Sequence, residues 1–426
     1  MTARGPGAWV RRDPRTKGNH PRDQRWQVVY NDPSTGKRRT KGGFPKKGDA
    51  DAWADDFRSS AKRGQWIDPA QGDVIFRDFA LQWLATLPTK KAKTRAGYKG
   101  LIEGERLDAT FGALPLRGIT HEAVAGWVGR LSAELAATTV RNNFYVLRAV
   151  LDFAVRSRRL QFNPAMGVGL PRVKQSRVRE ERRYPLSPAD VALVCDALPE
   201  PWDTYTWLAA WTGMRPEEVS ALRLSDVDVD QREVQVRSVL VDVNGLLIRE
   251  DDPKTVKSRR TIALDAATTQ RLATYLIEHQ RRAVRWFNEH PDQVHPGEAL
   301  PIFVGMKTGR ANGAPDLDRL DYSKPMRHGL FYNRHWKQTL KAVGLPSNLR
   351  FYDLRHAHIS WLVSDGKLGI KEISERVGHS SAVMTLDRYA HAPRDAQERQ
   401  RSALDALSAP TTNTNVVPFR RDGAPR

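Results

Sequence analysis

The strongest constraint on how this chain can fold is a break in its middle. A long helical pattern ends at Asn163-Pro164 and Leu170-Pro171, and residues 173–184 that follow are polar, mainly basic and poor in apolar side chains. Proline stops a helix, and a segment of that composition has too little apolar surface to fold alone. A chain of 426 residues divided in this way must build more than one core. Charge also changes at the break: 34 basic and 17 acidic residues precede residue 181, against 35 and 32 beyond it, so nearly all of the net +20 is carried in front. A sustained positive field of this kind gains by displacing condensed counterions from a phosphate backbone, which points to nucleic acid as the partner. One cysteine, Cys195, excludes an intrachain disulfide framework and a CxxC zinc site, and suits a reducing compartment. No run approaches eighteen apolar residues, and the start, with Arg4, Arg11 and Arg12, has no apolar signal core. The expectation is a cytoplasmic, nucleoid-associated protein with no membrane partner.

Ahead of the break two patterns follow one another. Trp26 to Tyr30 reads as a strand, Asn31 to Gly36 as a turn, and Lys37 to Lys41 as the returning strand, so Arg38, Arg39 and Lys41 sit on a basic hairpin able to enter a major groove. From Gly48, helical spacing places Ala50, Trp53, Ala54 and Phe57 on one face until Gly64 and Pro69. From Asp73, Ile75, Phe76, Phe79, Trp83, Leu84 and Leu87 repeat at three and four residues, followed by the outward-facing Lys90, Lys91, Lys93 and Arg95. A further helix over 138–159 buries Val140, Phe144, Leu147, Leu151 and Val155 and displays Arg141, Arg148 and Arg156. Beyond Pro185, Trp202 to Trp211, Asp353 to Ser364 and Ile370 to Val377 read as helices. Residues 232–264, rich in β-branched side chains, read as a small antiparallel sheet, and Asn288 to Arg327 as a surface excursion.

Five short sequences carry the chemistry. In Thr212-Gly213-Met214-Arg215-Pro216-Glu217-Glu218, glycine permits a tight turn and proline starts a helix, so Arg215 projects from a constrained point. Pro253 to Arg260 reads as a hairpin tip between strands at 246–250 and 260–264, holding Lys254 on a mobile arm, with Lys257 as the competing lysine. Tyr352-Asp353-Leu354-Arg355-His356 opens a helix, Val377-Gly378-His379 closes another, and Asp387-Arg388-Tyr389 lies ten residues on. Each piece alone is weak: a basic tip is usually solvated, a lone histidine usually structural, and a lone tyrosine usually core. No set of histidines and carboxylates has metal-ligand spacing, and no cofactor is expected.

Taken in order, Arg215, Lys254, Arg355, His379 and Tyr389 resemble the tyrosine recombinases of the phage integrase family. The resemblance extends over almost the whole chain and is most like an integrase of a temperate phage or integrative element. It implies a multidomain α+β protein. Residues 1–70 would be a β-sheet-plus-helix domain for arm-type sites, 71–172 an all-α, SAM-like core-binding bundle and 173–184 a linker. Residues 185–408 would be a mixed, mainly α catalytic domain with a small antiparallel sheet, and 409–426 a flexible tail. It implies that Tyr389 attacks a phosphodiester and leaves a 3′-phosphotyrosine, that Arg215 and Arg355 clamp the phosphate, and that Lys254 protonates the leaving oxygen. His379 would bond the phosphate or support Tyr389, with Glu218 as buttress and His356 as a structural hydrogen bonder. It further implies double-stranded DNA as partner and a homotetramer on it, and leaves room for a directionality factor and a host DNA-bending protein. The family's usual histidine three residues before the second arginine is here Tyr352, a poor base near neutrality, so the acceptor of the Tyr389 proton stays open between solvent, His379 and a phosphate oxygen. A type IB topoisomerase-like relaxing enzyme would share the five residues, and a non-catalytic DNA-binding regulator would share the basic front half.

Overall fold

The structure, a computed structural model, describes residues 7–14, 26–33, 36–64, 66–173, 185–251, 259–306, 317–379 and 381. The chain forms two compact units, Met1–Ser176 and Arg177–Arg426.

In the first unit, strands β1 (Ala8–Arg12), β2 (Trp26–Asn31) and β3 (Arg38–Phe44) form an antiparallel sheet in the order β1-β2-β3. The hairpin of β2 and β3 is the expected one. β1 follows from the resemblance alone, because AWVRR is too short and too charged to announce a strand until β2 pairs with it. The helix Lys47–Lys62 buries Ala50, Ala54 and Phe57, and Trp53 stacks on Phe57 at 5.7 Å. The basic hairpin residues divide. Arg39 pairs with the buried carboxylates Asp32 and Asp68 at 3.2 and 2.8 Å, whereas Arg38 and Lys41 are exposed, Arg38 lying 5.0 Å from the Trp9 ring.

The rest of this unit is helical, with Phe76–Ala85, Ala92–Ile102, His121–Glu134 and Ala137–Arg156 around one apolar core. Trp127, 1% exposed, meets Phe111 edge-on at 5.4 Å, and its indole donates to Arg106 O at 2.8 Å. Two expected core positions shift. Ile75 caps its helix and bridges Pro115, remaining exposed, and Ala154 takes the buried place expected for Val155. Lys90, Lys93 and Arg95 are exposed at the start of the second helix, and Lys91 is its N-cap. Arg141 donates to the Tyr145 hydroxyl at 2.7 Å, and Arg148 lies 3.8 Å from Asp152.

The second unit packs the helices Pro188–Ala197, Trp202–Thr212, Ala266–Glu289, Asp353–Asp365 and Ile370–Val377 with three small antiparallel arrays. The first array is β4 (Val227–Asp228), β5 (Glu233–Val236) and β8 (Arg260–Ala263); the second is β6 (Val239–Val243) with β7 (Leu246–Glu250); the third is β9 (Val304–Met306) with β10 (Leu320–Pro325). This corrects the expected hairpin at 246–264. β7 returns on β6 through the Asn244-Gly245 turn, both residues at positive φ, and β8 pairs with β5, so β7 and β8 are not the two arms of one hairpin. The surface excursion is corrected in part: residues 291–298 are exposed as expected, but Leu300, Ile302, Phe303, Val304, Leu320, Tyr322 and Met326 are buried. The Ala266–Glu289 helix was not signalled, lying between strand-like and proline-rich stretches. Among the described residues no helix is long and apolar enough to cross a membrane.

Trp127→Ala should cost about 3–5 kcal/mol, the usual range for truncating a buried aromatic, read as a lowered urea midpoint of the first unit.

Candidate active site

The site grows from a turn. The Trp202–Thr212 helix ends at Gly213, whose φ of +65° is natural to glycine; a Cβ here would meet His358 Cδ2 at 2.6 Å. Three residues on, Pro216 opens the short helix Pro216–Val219 with Arg215 as its N-cap. Glu218 reaches back to accept from the Arg215 backbone at 2.8 Å and from Arg215 Nη1 at 2.7 Å. The same carboxylate, 2% exposed, receives Arg260 Nη2 at 2.9 Å and Nη1 at 3.2 Å. Burial works against its charge, yet Arg260 and then Arg215 outweigh it and hold Glu218 at about 2.

Arg355 enters from the first turn of the Asp353–Asp365 helix and is 1% exposed. Its Nη1 donates to Gly213 O at 2.7 Å, so the glycine turn that presents Arg215 also holds Arg355. Among the described residues, Nε and Nη2 of Arg355 find no acceptor although both are buried. Burial, and next the nearby Arg215 charge, push this guanidinium down to about 10, which leaves it cationic at neutral pH. Arg215 shifts the other way: burial opposes its charge, but Glu218 and then the nearby Tyr352 hydroxyl more than compensate. Tyr352 lies near Arg215, with its ring edge-on to buried His356 at 5.2 Å.

The third side of the site is the end of the Ile370–Val377 helix. Gly378, at φ +67°, closes it and its carbonyl accepts from Arg215 Nη2 at 3.0 Å. His379 follows, 8% exposed, its backbone bonded to Ser374 O at 2.9 Å. Arg215, Glu218, Tyr352, Arg355, His356 and His379 are therefore brought together, while Lys254, Lys257 and Tyr389 lie outside the described residues. Among the described residues no group of histidine, cysteine, aspartate or glutamate is arranged to hold a metal ion.

Residues 186–395 match the phage integrase family. The chain is 29% identical over 386 residues to the prophage phiRv2 integrase of Mycobacterium tuberculosis, covering 89% of this chain and 92% of the relative. Residues 186–395 form a phage integrase family domain. The chain's fold agrees with that of solved integrases. The Tn1549 transposon integrase in complex with a circular intermediate DNA superposes with a TM-score of 0.57 at 19% identity, over 78% of this chain and 99% of that one. A lambda integrase dimer bound to a COC′ core site gives 0.50 at 18% identity, over 85% of this chain and 92% of that one.

Within this phage integrase fold, sequence reading missed Arg260, Arg376 and His358. Two of them had a signal. Arg260 shares the inward parity of β8 with buried Ile262, and His358 follows Arg355 by three residues on one helix face.

Glu218→Gln should lower stability by about 3–5 kcal/mol, because it strands buried guanidinium charge. Acid should weaken the unit as well. Burial holds His279 and His328 at about 4 and His358 at about 3, below the ordinary 6.5, so the unfolded chain takes up these protons first. Stability is then full above about pH 6.5 and lost as pH falls toward 4, with Glu218 adding its loss only between 4.5 and about 2. Thermal melting from pH 8 to 4 measures it, and His279→Gln should flatten the slope.

Proposed function

We propose that this chain is a site-specific DNA recombinase that cuts and rejoins DNA through a 3′-phosphotyrosine and thereby integrates or excises a mobile element. The observation that carries the reading is Arg355: a buried guanidinium with two donors unpartnered among the described residues, beside Arg215. An unsatisfied buried donor costs about 1–3 kcal/mol, and more when charged. An anionic group with several oxygens relieves that cost. A phosphodiester fits, since guanidinium donors match two oxygens of a phosphate and stay charged while negative charge builds on them.

On this reading Tyr389 attacks the phosphorus in line and loses its proton. Arg215 and Arg355 hold the non-bridging oxygens, and Lys254 protonates the departing 5′ oxygen. The diester bond energy is kept in the phosphotyrosine, so rejoining consumes no nucleotide. Glu218 keeps Arg215 in place, Tyr352 adds a second hold on it, and His379 faces the phosphate or Tyr389. Binding to double-stranded DNA, a tetramer on two duplexes, and the division into residues 1–70, 71–172 and 185–408 belong to the same proposal. In it the exposed Lys90, Lys93, Arg95 and the partly exposed Lys91, Arg141 and Arg148 meet core-site phosphates, while a directionality factor and a host bending protein act as accessories.

A nicked duplex spanning the junction between the encoding element and its flanking DNA traps the covalent intermediate. Wild type should form adduct, Tyr389→Phe none, and Arg355→Lys should be slower by about 10²–10³-fold, the range for removing one oxyanion donor. Tight binding without adduct from wild type would favour the regulator, and relaxation of a single supercoiled circle without two-site exchange would favour the relaxing enzyme. In the front module Arg38 and Lys41 carry phosphate binding while Arg39 holds the fold through Asp32 and Asp68. Arg38→Ala should weaken arm-type binding and reduce its salt slope by about one, and Arg39→Ala should instead lower the melting temperature.

A further inference from the structure

The last turn of the Ile370–Val377 helix carries a guanidinium that touches three other elements. Arg376 Nε donates to His358 Nε2 at 3.1 Å, Nη1 to Ala263 O at 3.0 Å, and Nη2 to Trp211 O at 3.2 Å. Arg260, three residues before Ala263 on β8, returns the contact: its Nε donates to Arg376 O at 2.7 Å while its two Nη atoms hold Glu218. Strand and helix end thus exchange guanidinium-to-carbonyl bonds in both directions. His358 is 3% exposed, and burial, then the Arg376 and Arg355 charges, keep it neutral, so its Nε2 is free to accept.

Among the described residues no carboxylate lies within ion-pair distance of Arg376, and burial lowers its pKa. A partly buried cation that spends its donors on carbonyls and one imidazole is a poor source of stability. Its acceptors have another property in common. Trp211 lies two residues before Gly213, which holds Arg355; His358 lies one turn beyond Arg355; Arg260 holds Glu218, which holds Arg215; and Arg376 itself stands two residues before Gly378, which also holds Arg215.

We propose that Arg376 and Arg260, with His358 as acceptor, form a reciprocal clamp that sets the spacing of Arg215 and Arg355 and the aim of the Gly378-His379 turn. They are positioning residues, none of which touches the phosphate. This rests on the phosphoryl-transfer reading, in which displacement of a reacting group by about 1 Å costs on the order of 10²-fold in rate.

The test is single-turnover cleavage of the same nicked junction duplex by the full chain, with core-site binding, plateau adduct yield and rate constant measured separately. Arg376→Lys keeps the charge but cannot span three directional acceptors. Its binding should stay within about 3-fold and its plateau yield should match wild type, while its rate constant should fall about 30- to 100-fold. His358→Gln, which leaves both carbonyl bonds of Arg376 intact, should lose about 10-fold in rate at full yield. A role in folding alone would do the opposite, lowering the yield with the folded fraction while the surviving enzyme cleaved at the wild-type rate. That result, or wild-type rates in both variants, overturns the clamp. Wild-type and Tyr389→Phe reactions run alongside: no adduct from wild type sinks the phosphoryl-transfer reading and the clamp with it, whereas normal wild-type adduct with unimpaired variants sinks the clamp alone.

Discussion

Everything in the second unit turns on one buried carboxylate. Glu218 accepts from the backbone and guanidinium of Arg215 and from both terminal nitrogens of Arg260, and it does so 2% exposed to solvent. Without it, Arg215, Arg260 and Arg355 would repel one another in a region of low dielectric, where charge is costly. With it, the neighbourhood is still short of negative charge, which is why burial and Arg215 together depress Arg355. The deficit has a direction. It is concentrated on the two Arg355 donors that no described residue meets, which on the proposed reading is where the phosphate binds.

The backbone makes that arrangement possible at two glycines. Gly213 and Gly378 both adopt the left-handed conformation, both end helices, and both offer a carbonyl to an arginine of the site. Side chains at either position would collide, Gly213 with His358 and Gly378 with Arg260 at 2.9 Å from Nη1. Helix termination and arginine placement are therefore one structural event: the turn that stops each helix frees the carbonyl that aims a guanidinium.

Much of this was legible because local rules and chemistry coincide. Gly213 and Pro216 mark a turn and a helix start by their backbone preferences, and Arg215 lies between them; Arg355 and His379 sit beside equally clear helix boundaries. Helical periodicity likewise gave the faces of Ala50, Phe57, Phe144 and Leu147. What local rules could not give was long-range pairing. The β7 and β8 segments read as one hairpin because they are neighbours in sequence, yet their partners are β6 and β5, chosen by packing that no short window contains. The buried stretches Leu300–Val304 and Leu320–Tyr322 were hidden for a related reason, since nearby proline and glycine outweighed their few apolar residues. Arg39 and Arg376 show the limit for charge: sequence displays a cation, and only the fold reveals that Asp32 and Asp68, or three neutral acceptors, already occupy it.

The central claim is that Arg355 neutralises charge on a scissile phosphate, and replacing that phosphate by a methylphosphonate tests it most directly. The substitution removes one anionic oxygen, so the account predicts that Arg355→Ala, severely slowed on the natural diester, approaches the wild-type rate on the neutral one. An equal defect on both substrates would contradict it, and would mean that the buried guanidinium serves the fold and not the reaction.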